Sequence, residues 1–392
     1  MRNLIIFDDP IFRQKLLPLA FTRPIGLFRL GIDTLAEKWA FYLSSTPSFL
    51  TEKYLSKKFS CQYDSQNLYV NGAYLANENL AHEINTLHIN EAIFEGENLV
   101  AIYTSDQLSY PIKPDFTKIN KKLISFNSIA IRQLSDIFIY NGKQLEADFQ
   151  RITRGINSQK VNDPFTVLYN ESNVFISENV SIKSAILDAS TGPIFIDKNA
   201  KIEIGALIQG PFYLGENSIL SLGAKIRPNT TIGPYCKVGG EVSKSVIFGY
   251  SNKSHDGFMG CSVIGEWCNW GAGTNNSNLK NDYGLVSMYD YAQKKLISTG
   301  QLFAGTMMGD YSKTAIGTQL NTGTVVGVSA NLFQTGFPAK HIPSFTWGGS
   351  ENESVKYRLD KAIEVIIETM KRRNVTLTEN EVEILTEIFN TQ

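Results

Sequence analysis

Cysteine and histidine are both scarce in this 392-residue chain, at four each. Cys61, Cys236, Cys261 and Cys268 form no CxxC pair and have no His at zinc-ligand spacing, which argues against a zinc site and a disulfide framework. Buried thiols are the expectation. Charge of one sign is also lacking, with 37 basic against 38 acidic side chains and a net charge of -1. Neither nucleic acid nor an anionic membrane finds an electrostatic footprint there. Long apolar runs are absent as well: Leu4 to Phe7 stops at Asp8-Asp9, too soon for a signal peptide or a spanning helix, and a cytoplasmic location is expected. What is present is a globular composition, 43% hydrophobic before the 30 Gly are added. The length allows two to three domains.

An internal repeat dominates the second half. Aliphatic residues recur every six positions at Ile196, Ile202, Ile208, Leu214, Leu220, Ile226, Ile232 and Val238. Small or β-branched residues follow most of them by four, as at Ala200, Ala206, Ser218 and Ala224. The same phase is read upstream at Val174, Val180 and Ile186, and a shifted one at Leu302, Met308, Thr314, Leu320, Val326 and Leu332, with Ile264 and Trp270 between. A period of six fits neither a helix nor a free strand. It fits a coil with three flat faces per turn, each placing one aliphatic side chain inward, a parallel β-helix of hexapeptide repeats. Seven to nine turns are predicted between 170 and 340, with 243–263 and 275–299 as protruding loops.

Residues 1–155 read as an α/β domain. Leu4 to Phe7 is a strand, and Asp9-Pro10 starts a helix with an N-cap and a first-turn Pro. Phe28, Ile32, Leu35, Ala36 and Trp39 share one face of a helix entered after Pro24. Asn71-Gly72 has the signature of a two-residue hairpin turn, strands are predicted at 99–103 and 136–140, and a helix with Leu145, Phe149 and Ile152 closes at Gly155. The coil domain is placed at 165–345. Residues 350–390 form a helical hairpin with capping boxes at Ser350/Glu353 and Thr378/Glu381. Its first helix carries Val355, Leu359, Ile363, Ile366 and Met370 inward, and it is expected to cap one end of the coil.

The segments KIRPNTTIGPYCKVGGEVSKSVIFGYSNKSHDGFMG, VIGEWCNWGAGTNNSNLKNDYG, IPSFTWGG and FTRPIGLFRLGIDTLAEKW resemble the bifunctional GlmU family of N-acetylglucosamine-1-phosphate uridylyltransferase/glucosamine-1-phosphate acetyltransferases, in a variant with a shortened N-terminal half. The resemblance implies a left-handed β-helix and acetyl transfer from acetyl-CoA to an amino-sugar 1-phosphate. It implies His255 as general base, Arg227, Lys244, Lys253, Asn269 and Asn278 on the sugar phosphate, and Ala272 and Thr306 on the cofactor. The chemistry needs such types, since an amine attacks a thioester only when unprotonated and a phosphate monoester takes Arg or Lys. Phe258 stands where the family has Tyr, Ser243 where it has Lys, and Leu279 where it has Tyr.

More weakly, Thr22-Arg23-Pro24 with Arg29 and Lys38 resembles the nucleotide-binding end of sugar-1-phosphate nucleotidyltransferases, although no glycine cradle precedes it. That implies a nucleoside triphosphate and Mg2+, for which Asp8, Asp9, Asp106 and Asp163 lack diagnostic spacing. Three readings follow: a two-headed enzyme of nucleotide-sugar biosynthesis, an acyltransferase with a degenerate N-terminal domain, or a non-catalytic regulatory or scaffolding β-helix. A zinc-dependent carbonic anhydrase on the same coil would need three His, and the coil has only His255 and His341. A homotrimer is expected, because the coil's flat faces call for cover by like subunits.

Overall fold

The computed structural model describes residues 2–115, 117–124, 128–349 and 354–391. Its N-terminal part is a six-stranded sheet in the order β2-β1-β3-β5-β4-β6, from β1 (Asn3–Phe7), β2 (Pro47–Leu50), β3 (Asn67–Asn71), β4 (Glu91–Glu95), β5 (Asn98–Thr104) and β6 (Asn120–Leu123). β1 runs parallel to both neighbours and is buried on both faces, as its unbroken aliphatic run requires. Helix α1 (Pro10–Lys15) starts as predicted, the N–H groups of Ile11 and Phe12 donating to Asp9. Helix α2 (Leu35–Leu43) starts later than the periodicity suggests. Thr34 and Glu37 form its capping box, and Phe28 and Ile32 are buried from the loop before it.

Two local expectations fail here. Asn71-Gly72 makes no hairpin, because β3 pairs with β1 and β5 instead of with the residues after it. Gly72 is needed for closeness: a Cβ there would lie 2.8 Å from Ile6 Cγ2. The segment 136–140 is not a strand but part of α4 (Leu134–Thr153), whose buried side chains include Ile137, Phe138 and Leu145. Between α2 and α4, α3 (Glu78–Asn85) completes the helices of this part.

The repeat folds as a parallel solenoid of about ten turns. One face carries 167–169, 186–188, 207–209, 225–226, 241–243 and 258–260, a second face nine strands from 174–176 to 341–342, and a third face 181–182 through 252–253. The interior holds the predicted ladder from Ile196 to Val238 together with Ile264, Trp270, Met308, Leu320, Val326 and Leu332. Upstream the phase differs. There the inward positions are Ile176, Ile182 and, after a three-residue corner at 183–185, Leu187, so Val180 is only partly buried and Ile186 is 39% exposed. Leu302 also stays outside, 46% exposed. The coil is longer than predicted because 243–263 supplies regular strands, and 275–276 does too. The hairpin Ser287–Asp290/Lys295–Ser298 leaves the coil.

Rungs stack so closely that some positions accept no side chain. A Cβ on Gly233 would lie 2.0 Å from the Phe248 carbonyl oxygen of the next rung. Gly233→Ala is therefore expected to cost about 1–3 kcal/mol, read as a lower urea midpoint at unchanged m.

The N-terminal part lies on the second face. One apolar cluster runs unbroken from Leu4, Phe28 and Trp39 to Val246, Phe248, Val263, Met307 and Val325. Helices α5 (Leu359–Lys371) and α6 (Glu379–Thr391) pack on the corner after that face, against Trp267, Tyr311 and Phe345, flanking the coil instead of capping its end. At this corner Tyr235, Tyr250 and Trp267 take left-handed backbone conformations that bulky residues seldom adopt. Their rings stack, with centroids 4.9 and 4.3 Å apart. Arg373 donates to Asn252 Oδ1 at 3.1 Å. The Thr378/Glu381 box forms, Val355 is in a strand (Val355–Lys356) instead of a helix, and the Ser350/Glu353 box lies outside the described residues. Of the thiols, Cys61 is half-buried and the other three buried.

Candidate functional site

Third and first faces meet at a corner where residues 254–257 link Asn252–Lys253 to Phe258–Gly260. Solenoid strands are short, so each corner sets what its residues expose. His255 and Asp256 are exposed here. On the adjoining rung Gly273 N–H donates to the Asp256 carbonyl at 3.0 Å, which sets Ala272 beside the His255–Asp256 corner. Along the first face Glu241 is in register with Phe258 and Lys225 with Glu241. Arg227 approaches Glu241 to 3.5 Å with its side chain 60% exposed. Asn275 Oδ1 accepts the Phe258 N–H at 2.8 Å. An imidazole, a guanidinium and an aromatic edge thus share one open strip.

Other expected residues stand further off. Lys244 and Asn278 occupy the opposite edge of the first face, Lys244 with its ammonium 5.8 Å from the Phe138 ring and Asn278 donating to Cys261 Sγ at 3.6 Å. Asn269 is on the third face, bridged to Asn252 and Lys313. Two residues are corrected outright. Thr306 is fully buried within the coil, its N–H donating to Ser262 Oγ, and no cofactor reaches it. Lys253 is 3% exposed and points inward in register with Val238, so it does not meet substrate. Reading 243–263 as a protruding loop hides that Lys253 fills a hexad slot. Glu241 and Asp256 are carboxylates of this strip that the sequence reading does not single out, since only the strand register brings them there.

The three basic residues assigned to a nucleotide are all engaged within the protein. Arg23 is 7% exposed, with Nη1 2.9 Å from Glu266 and Nη2 bonded to Asp310. Asp310 also accepts Thr22 Oγ1 at 2.6 Å and Glu266 N–H at 2.8 Å. Lys38, 1% exposed, is paired with Asp148, and burial pushes its ammonium below the usual lysine range against the pull of that carboxylate. Arg29 donates to the Phe248 and Ile32 carbonyls. Arg23 and Arg29 join the N-terminal part to the solenoid, whereas Lys38 ties α2 to α4 within that part. Asp8 is fully engaged too, by Arg13 at 2.7 Å, Thr51 at 2.5 Å and Ile25 N–H at 2.8 Å, and burial raises its carboxyl against those contacts. Asp9 caps α1, and Asp163 accepts Thr166 and Ser184. Among the described residues no group of three or more carboxylate, His or Cys side chains gathers to hold a metal. His341, the other coil histidine, stacks on Tyr289 from the second face, away from His255.

A sugar nucleotidyl transferase family profile matches residues 4–157. An acetyltransferase of unassigned function, YaiX of Escherichia coli, is 31% identical over 200 residues, covering 50% of this chain and 84% of that protein. The chain belongs to the acetyltransferase family that includes YaiX. The bifunctional sugar-1-phosphate nucleotidylyltransferase/acetyltransferase of Sulfurisphaera tokodaii is 36% identical over 160 residues, 40% of this chain. The chain spans 37% of that relative's length. The bifunctional protein GlmU of Methanocaldococcus jannaschii is 37% identical over 154 residues, 39% of this chain and 35% of the relative. Among solved structures, an Arabidopsis UDP-N-acetylglucosamine acyltransferase aligns at 16% identity and a TM-score of 0.24, over 57% of this chain and 88% of its own.

Proposed function

We propose that this protein is a transferase of nucleotide-sugar biosynthesis, acetylating an amino-sugar 1-phosphate with acetyl-CoA on its solenoid and carrying a nucleotidyltransferase domain at its N-terminus. UDP-N-acetylglucosamine is the product to test first. The observation that carries the acetyl transfer is the strip on which exposed His255 adjoins Ala272 and leads to Arg227. The sugar amine attacks the thioester carbonyl, His255 takes the proton released from nitrogen, and the carbon–sulfur bond breaks to free the coenzyme thiol, which receives that proton. Arg227 holds the phosphate, its guanidinium released from a long, exposed contact with Glu241. We take 1–155, 165–345 and 350–390 as the working units, in the cytoplasm.

Magnesium has no assembled site among the described residues: Asp8, Asp9 and Asp163 are spent on internal bonds, and exposed Asp106 belongs to no cluster of three such ligands. No step is assigned to it. A second reading, acetyl transfer alone, is favoured by the engagement of Arg23, Arg29 and Lys38 within the fold. One experiment separates the two. Purified protein is incubated with acetyl-CoA, amino-sugar phosphates and each nucleoside triphosphate: free thiol with pyrophosphate supports the first, free thiol alone the second, and neither product defeats both.

A homotrimer is part of this proposal. The corner that carries His255 also carries Ile204, Leu222 and Ile316, 56%, 68% and 83% exposed, at the equivalent place on other rungs. Aliphatic side chains so aligned call for cover. Sedimentation equilibrium is expected to give three times 43.7 kDa and Leu222→Glu to lower that value. A wild-type monomer at micromolar concentration excludes the trimer.

A further inference from the structure

Every hexad slot on the third face from Ile182 to Val238 takes an aliphatic side chain, and the next one takes Lys253. A lysine inside a solenoid needs partners for its ammonium, and two carbonyls supply them. Nζ donates to Gly239 O at 3.0 Å and to His255 O at 2.8 Å. The room comes from the rung below, where the corner shrinks to Gly239-Gly240, against four residues at 221–224 and at 254–257. Gly240 has φ +67°, and a Cβ on it would lie 2.8 Å from Lys253 Nζ and 2.6 Å from Gly257 O. The short corner, the two glycines and the inward lysine therefore form one arrangement. It ties the backbone of the residue bearing the imidazole to the rung beneath.

Resting on the acetyl-transfer reading, we propose that Lys253 is a positioning residue for His255: its ammonium clamps the His255 carbonyl to that of Gly239 and so fixes where the exposed imidazole stands relative to Arg227 and Ala272. Burial brings the ammonium down to about 8, with Asp256 opposing. Lys253 never touches substrate. It acts by holding the corner, and a shift of about 1 Å at a base costs up to about 100-fold in rate.

The test is a double-mutant cycle on the full chain. Lys253→Met fills the slot without a charge, and it is expected to lower acetyl-transfer kcat about 10- to 100-fold with KM for acetyl-CoA unchanged. Combined with His255→Ala, it is expected to add nothing to the loss from His255→Ala alone. Multiplicative losses, or a Lys253→Met enzyme at wild-type kcat, overturn the proposal. A readout free of turnover accompanies the cycle: the His255 imidazole resonance, assigned by its absence in His255→Ala, is expected to shift or broaden in Lys253→Met. Lys253→Leu serves where Lys253→Met does not fold, and an unchanged resonance in the folded variant refutes the clamp. Failure of the wild type to release thiol counts against the acetyl-transfer reading alone, with the resonance still deciding the clamp.

Discussion

His255→Ala is expected to lower acetyl-transfer kcat by about 10²- to 10⁴-fold, the usual contribution of a positioned general base. Stability should hardly move, because the side chain is exposed on a corner outside the interior ladder. KM for acetyl-CoA should stay close to the wild-type value, since the imidazole acts on the amine proton and not on the coenzyme. Arg227→Ala is the contrasting variant. A phosphate contact remote from the reacting carbonyl contributes to ground state and transition state alike, so KM for the sugar phosphate should rise while kcat is largely kept. Steady-state kinetics with free-thiol detection reads both. Wild-type turnover in His255→Ala removes the base from this corner.

The largest stability effect is expected from Asp310→Ala. Asp310 accepts from Thr22, from Arg23 and from the Glu266 N–H, all buried or nearly so. Its removal leaves a buried guanidinium with Glu266 as its remaining partner, and losing one side of such a pair costs about 3–5 kcal/mol. Because Arg23 and Asp310 sit on opposite sides of the contact between the N-terminal part and the coil, the loss should lower unfolding of both together. Denaturant curves followed by tryptophan fluorescence and by far-UV circular dichroism should shift by the same amount. Two separated transitions, with only one displaced, would contradict a shared core. For the same reason Arg23→Ala is not a clean probe of nucleotide chemistry. Its effects on stability will reach the acetyl-transfer half as well.

The coil was legible because a hexad ladder is a direct image of inward side chains. Ile196 to Val238 needed only counting. The ladder misleads where a corner gains or loses residues, as at 183–185 and at Gly239-Gly240, since corner length has no signature in hydrophobic period. Asn71-Gly72 shows a different failure: local turn chemistry pointed to a hairpin, yet partners distant in sequence, β1 and β5, claimed the strand. Of the candidate site, His255, Ala272 and Arg227 are named through the family resemblance of the segments around them and not through period or spacing. The burial of Lys38 and Arg23 could not be read there, because ion pairs with Asp148 and Asp310 join residues 110 and 287 positions apart.

The unbroken apolar cluster beneath the second face has a consequence for the order of synthesis. Leu4, Phe28 and Trp39 leave the ribosome first, while Val263, Met307 and Val325, which complete their cover, come far later. At about 5–20 residues per second, the interval between residue 155 and residue 325 is roughly 10–30 s. Throughout it the early part presents an uncovered oily surface, and a chain stalled before its last rungs would carry that surface permanently. Quality-control factors that bind exposed apolar segments should therefore hold the nascent chain until the late rungs close over it.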